Sequence, residues 1–362
     1  MTTIGIFIDN ESNLFQSGAI QQALFTYLVI KNTHHDVIML AHNSSKEHFS
    51  LFPNIPVKNI SVISRESVEG IKTLIFTSVI PSICSSVSAL KSFGIKIIYQ
   101  ICGNYFIINQ EDYIFDCHKR NFFQTYHLAD EIWLLPMYKH MQSYIKTITK
   151  KNVIIVPYIW NNTIIHKYAE SINVSLESLK FVPHVSLSDW IIYISEPNVS
   201  IHKTSLVPIL IAEENFQNTS KDIQVLSMCS KDTTGFKVIL QNLEIFKYIQ
   251  FYPRANTIEC IRQLKNKKIP ICISHQIFNE LNFLHLEMMY LGYPLVHNST
   301  MIKPAGFYYK DHDTKEGSDA LQKVYDTFVE NYKDIQKGYK DVLSRFDPNN
   351  ENIIEVYRRL LT

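Results

Sequence analysis

Short apolar runs rich in β-branched residues alternate with amphipathic stretches along this 362-residue chain. That alternation restricts the fold more than any other feature. Residues 4–8, 37–41, 73–76, 95–100, 131–135 and 153–156 read as strands, with helices at 18–30, 81–93 and 137–149. Apolar strands each followed by a helix predict a parallel sheet covered on both faces. Residues 161–188 are polar and irregular and carry Pro183, which marks an inter-domain connection. The alternation then resumes, with strands at 190–194, 224–228, 249–252, 270–274 and 294–296. Helices are expected at 203–216, 232–243, 283–290 and 321–346, and a last one at 351–361 behind Asp347-Pro348. The predicted organisation is two doubly wound α/β domains, 1–160 and 189–346, each large enough for its own core. In such sheets ligands sit beyond the carboxyl ends of the strands, and between two such domains the deepest cleft is expected.

Several functions lack their signatures. Of the ten glycines, no two are spaced as Gly-x-Gly, so a dinucleotide pyrophosphate has no glycine-lined approach to the backbone. There is no phosphate-binding GxxxxGK[ST] loop and no GxSxG nucleophile elbow. Lys plus Arg (35) balance Asp plus Glu (34), without the basic excess of a nucleic-acid binder; no nucleic-acid partner is expected. The six cysteines form no CxxC pair, which fits buried thiols in a reducing compartment. No signal peptide and no run of ~20 apolar residues is present, so the expectation is a cytoplasmic protein. The wealth of Ile, Asn, Lys and Tyr suggests an AT-rich genome, bacterial or that of a large DNA virus. Asp311-His312-Asp313 has the DxD form of a metal–diphosphate site, but acidic residues ahead of a helix are also ordinary surface chemistry. No metal site is expected.

The informative stretch is 273–309. Its strand ends at Ser274; a loop follows, then a helix that stops at Gly292 with Pro294 beyond. Free N–H groups in the loop and the first helical turn suit a phosphate. Glu287, one turn in, either accepts bonds from a ribose diol or faces solvent. The segment Glu287-Met-Met-Tyr-Leu-Gly292-Tyr-Pro294-Leu-Val296 resembles the donor-site segment of retaining glycosyltransferases of the GT-B fold, which carry E-x7-E followed by G-x-P-V. The position eight before Glu287 is Asn279, next to Glu280. Either Glu280 replaces the first acid after a one-residue shift, or Asn279 binds the sugar as a neutral partner. Ser274-His275-Gln276, Asn279-Glu280, residues 290–298 and Gly306-Phe307-Tyr308-Tyr309 are similar to a poorly characterised glycosyltransferase-like group from bacteria and viruses. So are Gln16-Ser17-Gly18, Cys102-Gly103-Asn104-Tyr105 and Glu196-Pro197-Asn198 with Lys203.

The resemblance implies GT-B architecture: two doubly wound Rossmann-like domains facing across a cleft, with helix 351–361 crossing back onto the first. It implies transfer of a sugar from a UDP- or GDP-linked donor to a hydroxyl of a glycan acceptor, with no cofactor. Lys203 is expected at a helix N-terminus, where a cation is poorly placed unless an anion lies beside it. There it would neutralise charge on the leaving phosphate. Glu196, Asn198, Arg254, His275, Asn282 and Glu287 are the donor-binding candidates, and Lys203, Asn279 and Glu280 the catalytic ones. Asn10, Glu11, Gly18, Asn104 and His118 would serve the acceptor. An inverting reaction needs a base, for which Asp9, Glu11, Asp116 and His118 are of the right type; a retaining one lets the leaving phosphate take the proton. The retaining resemblance favours the second course. An epimerase or hydrolase on the same fold, or a non-catalytic carbohydrate-binding relative, are the alternatives.

Overall fold

The computed structural model describes residues 3–9, 14–15, 17–42, 51–60, 63–77, 84–115, 126–183, 190–219, 225–227, 234–253, 255–264 and 268–362. The chain divides into two compact units, Met1–Ile164 with Phe346–Thr362, and Ile165–Arg345.

The first unit holds a parallel sheet of β1 (Thr3–Asp9), β2 (Asp36–His42), β3 (Val57–Ile60), β4 (Ile71–Thr77), β5 (Lys96–Ile101), β6 (Glu131–Leu134) and β7 (Asn152–Ile155), in spatial order 3-2-1-4-5-6-7. Ile4, Ile6, Leu74, Ile75, Ile97 and Ile98 are fully buried, as expected where helices cover both faces. The terminal helix Glu351–Leu361 starts at Asn350, whose side chain accepts from the Asn352 N–H. It buries Ile353, Ile354 and Tyr357 on one side. The Tyr357 ring meets Trp133 edge-on at 5.5 Å, and its hydroxyl donates to the Pro157 carbonyl at 3.1 Å.

The second unit holds β8 (Trp190–Ile194), β9 (Val225–Ser227), β10 (Ile249–Phe251), β11 (Ile269–Ser274), β12 (Leu295–His297) and β13 (Phe307–Tyr308). These pair in parallel in the order 10-9-8-11-12-13. In this order β8 lies between β9 and β11, so successive connections leave it in opposite directions. The carboxyl ends of β8 and β11 therefore flank the topological switch point, where doubly wound sheets bind ligands.

Three expectations need correction. Residues 161–188 are not an irregular connection as far as they are described: Thr163–Ser171 and Leu176–Leu179 are helical. Residues 165–183 belong to the second unit, where Phe181 packs on Trp190, Phe328 and Tyr332 and donates its N–H to the Leu291 carbonyl. Polar composition concealed these helices because only one side of each is buried. The helical stretch 321–346 is two helices, Thr314–Thr327 and Tyr332–Ser344, separated by a turn that seats Phe328 in that aromatic cluster. The helix expected from Lys203 begins at Leu206.

Candidate active site

At the end of β8, Glu196 is 1% exposed. Its Oε1 accepts from the Ser274 hydroxyl at 2.6 Å, the His275 N–H at 3.2 Å and the Gln276 amide at 3.1 Å. Its Oε2 has no partner among the described residues. Burial pushes the carboxyl up to about 7, against the opposing effect of the bonds it accepts. One carboxylate oxygen thus organises three consecutive residues at the end of the neighbouring strand β11.

From that hub two lines of hydrogen bonds run outward. Ser274 Oγ lies 2.8 Å from His285 Nε2. With the hydroxyl proton given to an ionised Glu196, Nε2–H donates to Ser274 and Nδ1 is the bare nitrogen, an assignment made from the network. His285 is fully buried, and among the described residues Nδ1 has no partner. Burial, then His297, then the positive charge of Lys203 hold this imidazole well below the usual histidine range; Lys203 and His285 are therefore electrostatic neighbours. Along the second line, the Gln276 side chain accepts from Asn279 Nδ2 at 2.7 Å, and Asn279 is 2% exposed.

Neighbouring bonds fix the frame. Asn298 accepts from the Gln276 N–H at 3.0 Å and donates to its carbonyl at 2.9 Å. His275 Nδ1 pairs with the Tyr309 hydroxyl at 2.8 Å, and the rings stack 20° apart. Burial, with His312 4.9 Å away between ring centres, pushes His275 down to about 4. His297 Nε2–H donates to the Ala305 carbonyl at 2.7 Å while Nδ1 accepts from the Ser299 N–H at 3.1 Å. Both of its nitrogens are spent on holding the 298–306 loop.

Lys203 does not sit at a helix N-terminus, so the misplaced-cation argument loses its premise. It lies in a turn, where its N–H donates to Ser200 and its carbonyl accepts from Asn198. Asn198 adopts a left-handed φ of 53°; its side chain accepts from the Ser205 N–H at 2.7 Å and the Ser205 hydroxyl at 3.1 Å. It closes the loop rather than reaching outward through that oxygen. The Ile277 N–H donates to the His202 carbonyl at 3.1 Å, which fastens the Lys203 turn to the loop after β11. Asn282 caps the helix Phe283–Leu291 by accepting from the His285 N–H at 3.2 Å. Glu280 is spent on Thr300, accepting from both its N–H and its hydroxyl. Glu287 is half-buried and accepts from the Thr257 hydroxyl; burial raises its carboxyl, and the Thr257 bond works against that.

The structure thus brings together Glu196, Lys203, His275, Asn279 and the first turn of helix Phe283–Leu291. Arg254, Asn10, Glu11, Asp116 and His118 lie outside the described residues, as does the side chain of Asp9. Gly18 opens the first helix behind Ser17, and Asn104 is buried, accepting from the Ile107 N–H at 3.1 Å. Among the described residues no three His, Cys, Asp or Glu side chains are placed to share a metal ion, and no helix is long and apolar enough to cross a membrane. Sequence reasoning did not select Ser274, Gln276 or His285 as site residues. The signals available were the Ser274-His275-Gln276 motif and, for His285, a histidine on a helix, FLHLEMMYL, whose other polar residues are Glu287 and Tyr290.

Because the Glu196 carboxyl is raised in the folded state, the folded chain holds a proton that the unfolded chain releases. Its contribution is complete below about 4.5, the unfolded value, and is lost as pH rises through about 7. Unfolding by urea at pH 5 and pH 8 is expected to show a fall of roughly 2–4 kcal/mol from this group. The Glu196→Gln variant should show that much less pH dependence; an unchanged profile would rule the effect out.

The family described as "Protein of unknown function (DUF2827)" matches residues 2–361. The chain belongs to this family. No curated protein matches it in sequence. Among solved structures it is similar to an alpha-glucosyltransferase in complex with UDP, with a TM-score of 0.64 and 11% identity over 100% of both chains. It is similar to a glycosyltransferase from Rickettsia africae ESF-5, with a TM-score of 0.60 and 13% identity over 100% of this chain and 99% of the other. A third is the lipopolysaccharide outer core galactosyltransferase WaaB in its apo form, at 0.57 and 13%, over 99% of each chain. At such identities the likeness shows the fold, and the fold of this family member is that of the GT-B glycosyltransferases.

Proposed function

We propose that this protein transfers a sugar from a UDP- or GDP-linked donor to a hydroxyl of a glycan acceptor, without a metal ion and with retention at the anomeric carbon. The observation that carries the reading is the convergence at the β8–β11 switch point of a cation, Lys203, with an Asn-capped helix N-terminus and a wall of buried polar side chains. The diphosphate would lie against Lys203 and the loop 275–282, where backbone N–H groups and the ammonium share its charge. The bond from the anomeric carbon to the diphosphate breaks and one to the acceptor oxygen forms on the same face. The acceptor proton passes to the leaving phosphate. A structurally similar alpha-glucosyltransferase was solved with UDP and a DNA 13-mer containing an HMU base. For this chain the even balance of 35 basic and 34 acidic residues favours a glycan acceptor over a nucleic acid. Asn279 in place of an acid favours a second reading, a carbohydrate-binding relative without turnover.

Thermal shift with UDP-, GDP- and dTDP-sugars tests the donor, since a ligand at a hundredfold its Kd stabilises by ~2.7 kcal/mol. Product analysis with and without acceptor then separates transferase from hydrolase, epimerase and binding protein. Transfer is expected to continue in EDTA; loss on chelation with recovery in manganese would implicate Asp311 and Asp313. A nucleotide bound on residues 1–164 would sink the assignment.

Glu287 is proposed to hold the ribose diol. Glu287→Gln should weaken donor binding by ~1–3 kcal/mol, as charge-assisted bonds become neutral ones. Calorimetry showing unchanged donor affinity in a folded variant would leave Glu287 with the Thr257 bond as its whole role.

A further inference from the structure

We propose that Glu196 is the functional acid of this site, orienting the Asn279 side chain through Gln276 and the His285 side chain through Ser274. The inference rests on the donor-site reading and adds to it a positioning residue on a different strand. A buried carboxylate is costly unless it is paired or fully hydrogen-bonded. Among the described residues Glu196 has no ion pair and its Oε2 is unpartnered, and it is 1% exposed. A glutamine here could keep all three bonds, because Ser274, His275 and Gln276 all donate to Oε1 alone. The acid is therefore not required for the loop's hydrogen bonding. What it adds is charge and an enforced direction: both carboxylate oxygens only accept, whereas a glutamine could turn and present its amide nitrogen to the same groups. An ionised Oε1 obliges Gln276 to present its amide nitrogen, so the Gln276 oxygen faces Asn279 and Asn279 must present Nδ2. The same charge takes the Ser274 proton, which obliges His285 to donate through Nε2. One carboxylate thus fixes an amide orientation and an imidazole tautomer beside Lys203. Among the described residues, the titratable groups that feel Glu196 directly are Cys272 on β11 and Tyr309 beyond β13; His275 touches it through its N–H and His285 through Ser274, with Lys203 beside His285.

The test moves the acid along its own hydrogen-bonded chain, with Glu196→Gln, Asn279→Glu and the double variant compared with wild type. Glu196→Gln should fold, lower kcat about 10- to 100-fold with donor Kd changed less than threefold, and lose the limb of the kcat–pH profile near 7. Asn279→Glu places two carboxylates two hydrogen bonds apart in a buried region, and its urea midpoint should fall. In the double variant that fall should be at least half recovered, and kcat should rise above that of Glu196→Gln. Additive stability losses in the double variant would overturn the proposal, and so would a Glu196→Gln enzyme with unchanged kcat and pH profile. The stability arm needs no ligand, so it still decides the coupling of 196 and 279 if the wild type turns over no nucleotide sugar; only the donor-site reading fails in that case.

Discussion

Replacing Lys203 with alanine is expected to cut kcat for sugar transfer by on the order of 10²–10³, and to weaken the donor complex far less. The ground-state diphosphate would already be met by backbone N–H groups of the loop after β11 and the helix behind it. Charge on the leaving oxygen grows only as the sugar departs, so the ammonium's contribution rises towards the transition state and registers in kcat. The Lys203 backbone is held on both sides, by Asn198 and Ser200, and its turn is tied through His202 to Ile277. Removing the side chain should therefore leave the loop in place. Lys203→Arg should rescue in part, because a planar fork cannot occupy the place of a compact charge. Steady-state transfer with donor titration on the three proteins decides the matter. Equal losses in kcat/KM and donor affinity, with kcat untouched, would mean that Lys203 only holds the donor.

Gly306→Ala is expected to destabilise the second unit by ~3 kcal/mol or more. Gly306 has a φ of +74°, in the left-handed region, and a Cβ there would lie 2.8 Å from the Leu295 carbonyl oxygen and 3.1 Å from the His297 ring. Neither neighbour can yield. The carbonyl belongs to β12, which pairs with β11 and β13, and the ring is fixed by bonds to Ala305 and Ser299. Shifting either would disturb the frame that holds Asn298 against Gln276 and Tyr309 against His275. The urea midpoint should fall, and donor binding with it. A loss below about 1 kcal/mol would show that the 298–306 loop is softer than its bonds imply.

The strands were legible because parallel strands buried on both faces must be apolar throughout. Residues 4–8, 73–76 and 190–194 stand inside β1, β4 and β8, and the terminal helix 351–361 coincides with Glu351–Leu361. The helix Phe283–Leu291 announced both of its ends, through Asn282 and Gly292. The short strand β3 escaped notice because two of its four residues are exposed. The helix Tyr105–Phe115 escaped because its apolar residues do not follow one clean stripe.

At the site the division is sharper. A chain read in one dimension could single out Glu196, Lys203 and His275 as chemistry-bearing residues after strand ends, since strand ends in a doubly wound sheet are where backbone groups face a ligand. It could not show that Glu196 reaches Ser274, 78 residues away along the chain, because that bond depends on β8 and β11 being adjacent in the sheet. Nor could it tell that Glu280 is spent on Thr300 while Asn279 lies on the buried relay; the two are neighbours in sequence whose side chains reach different partners. Local pattern determines which segments become strands and helices, because burial and capping act over a few residues. Strand order decides which side chains meet, because only packing brings distant segments within hydrogen-bond reach.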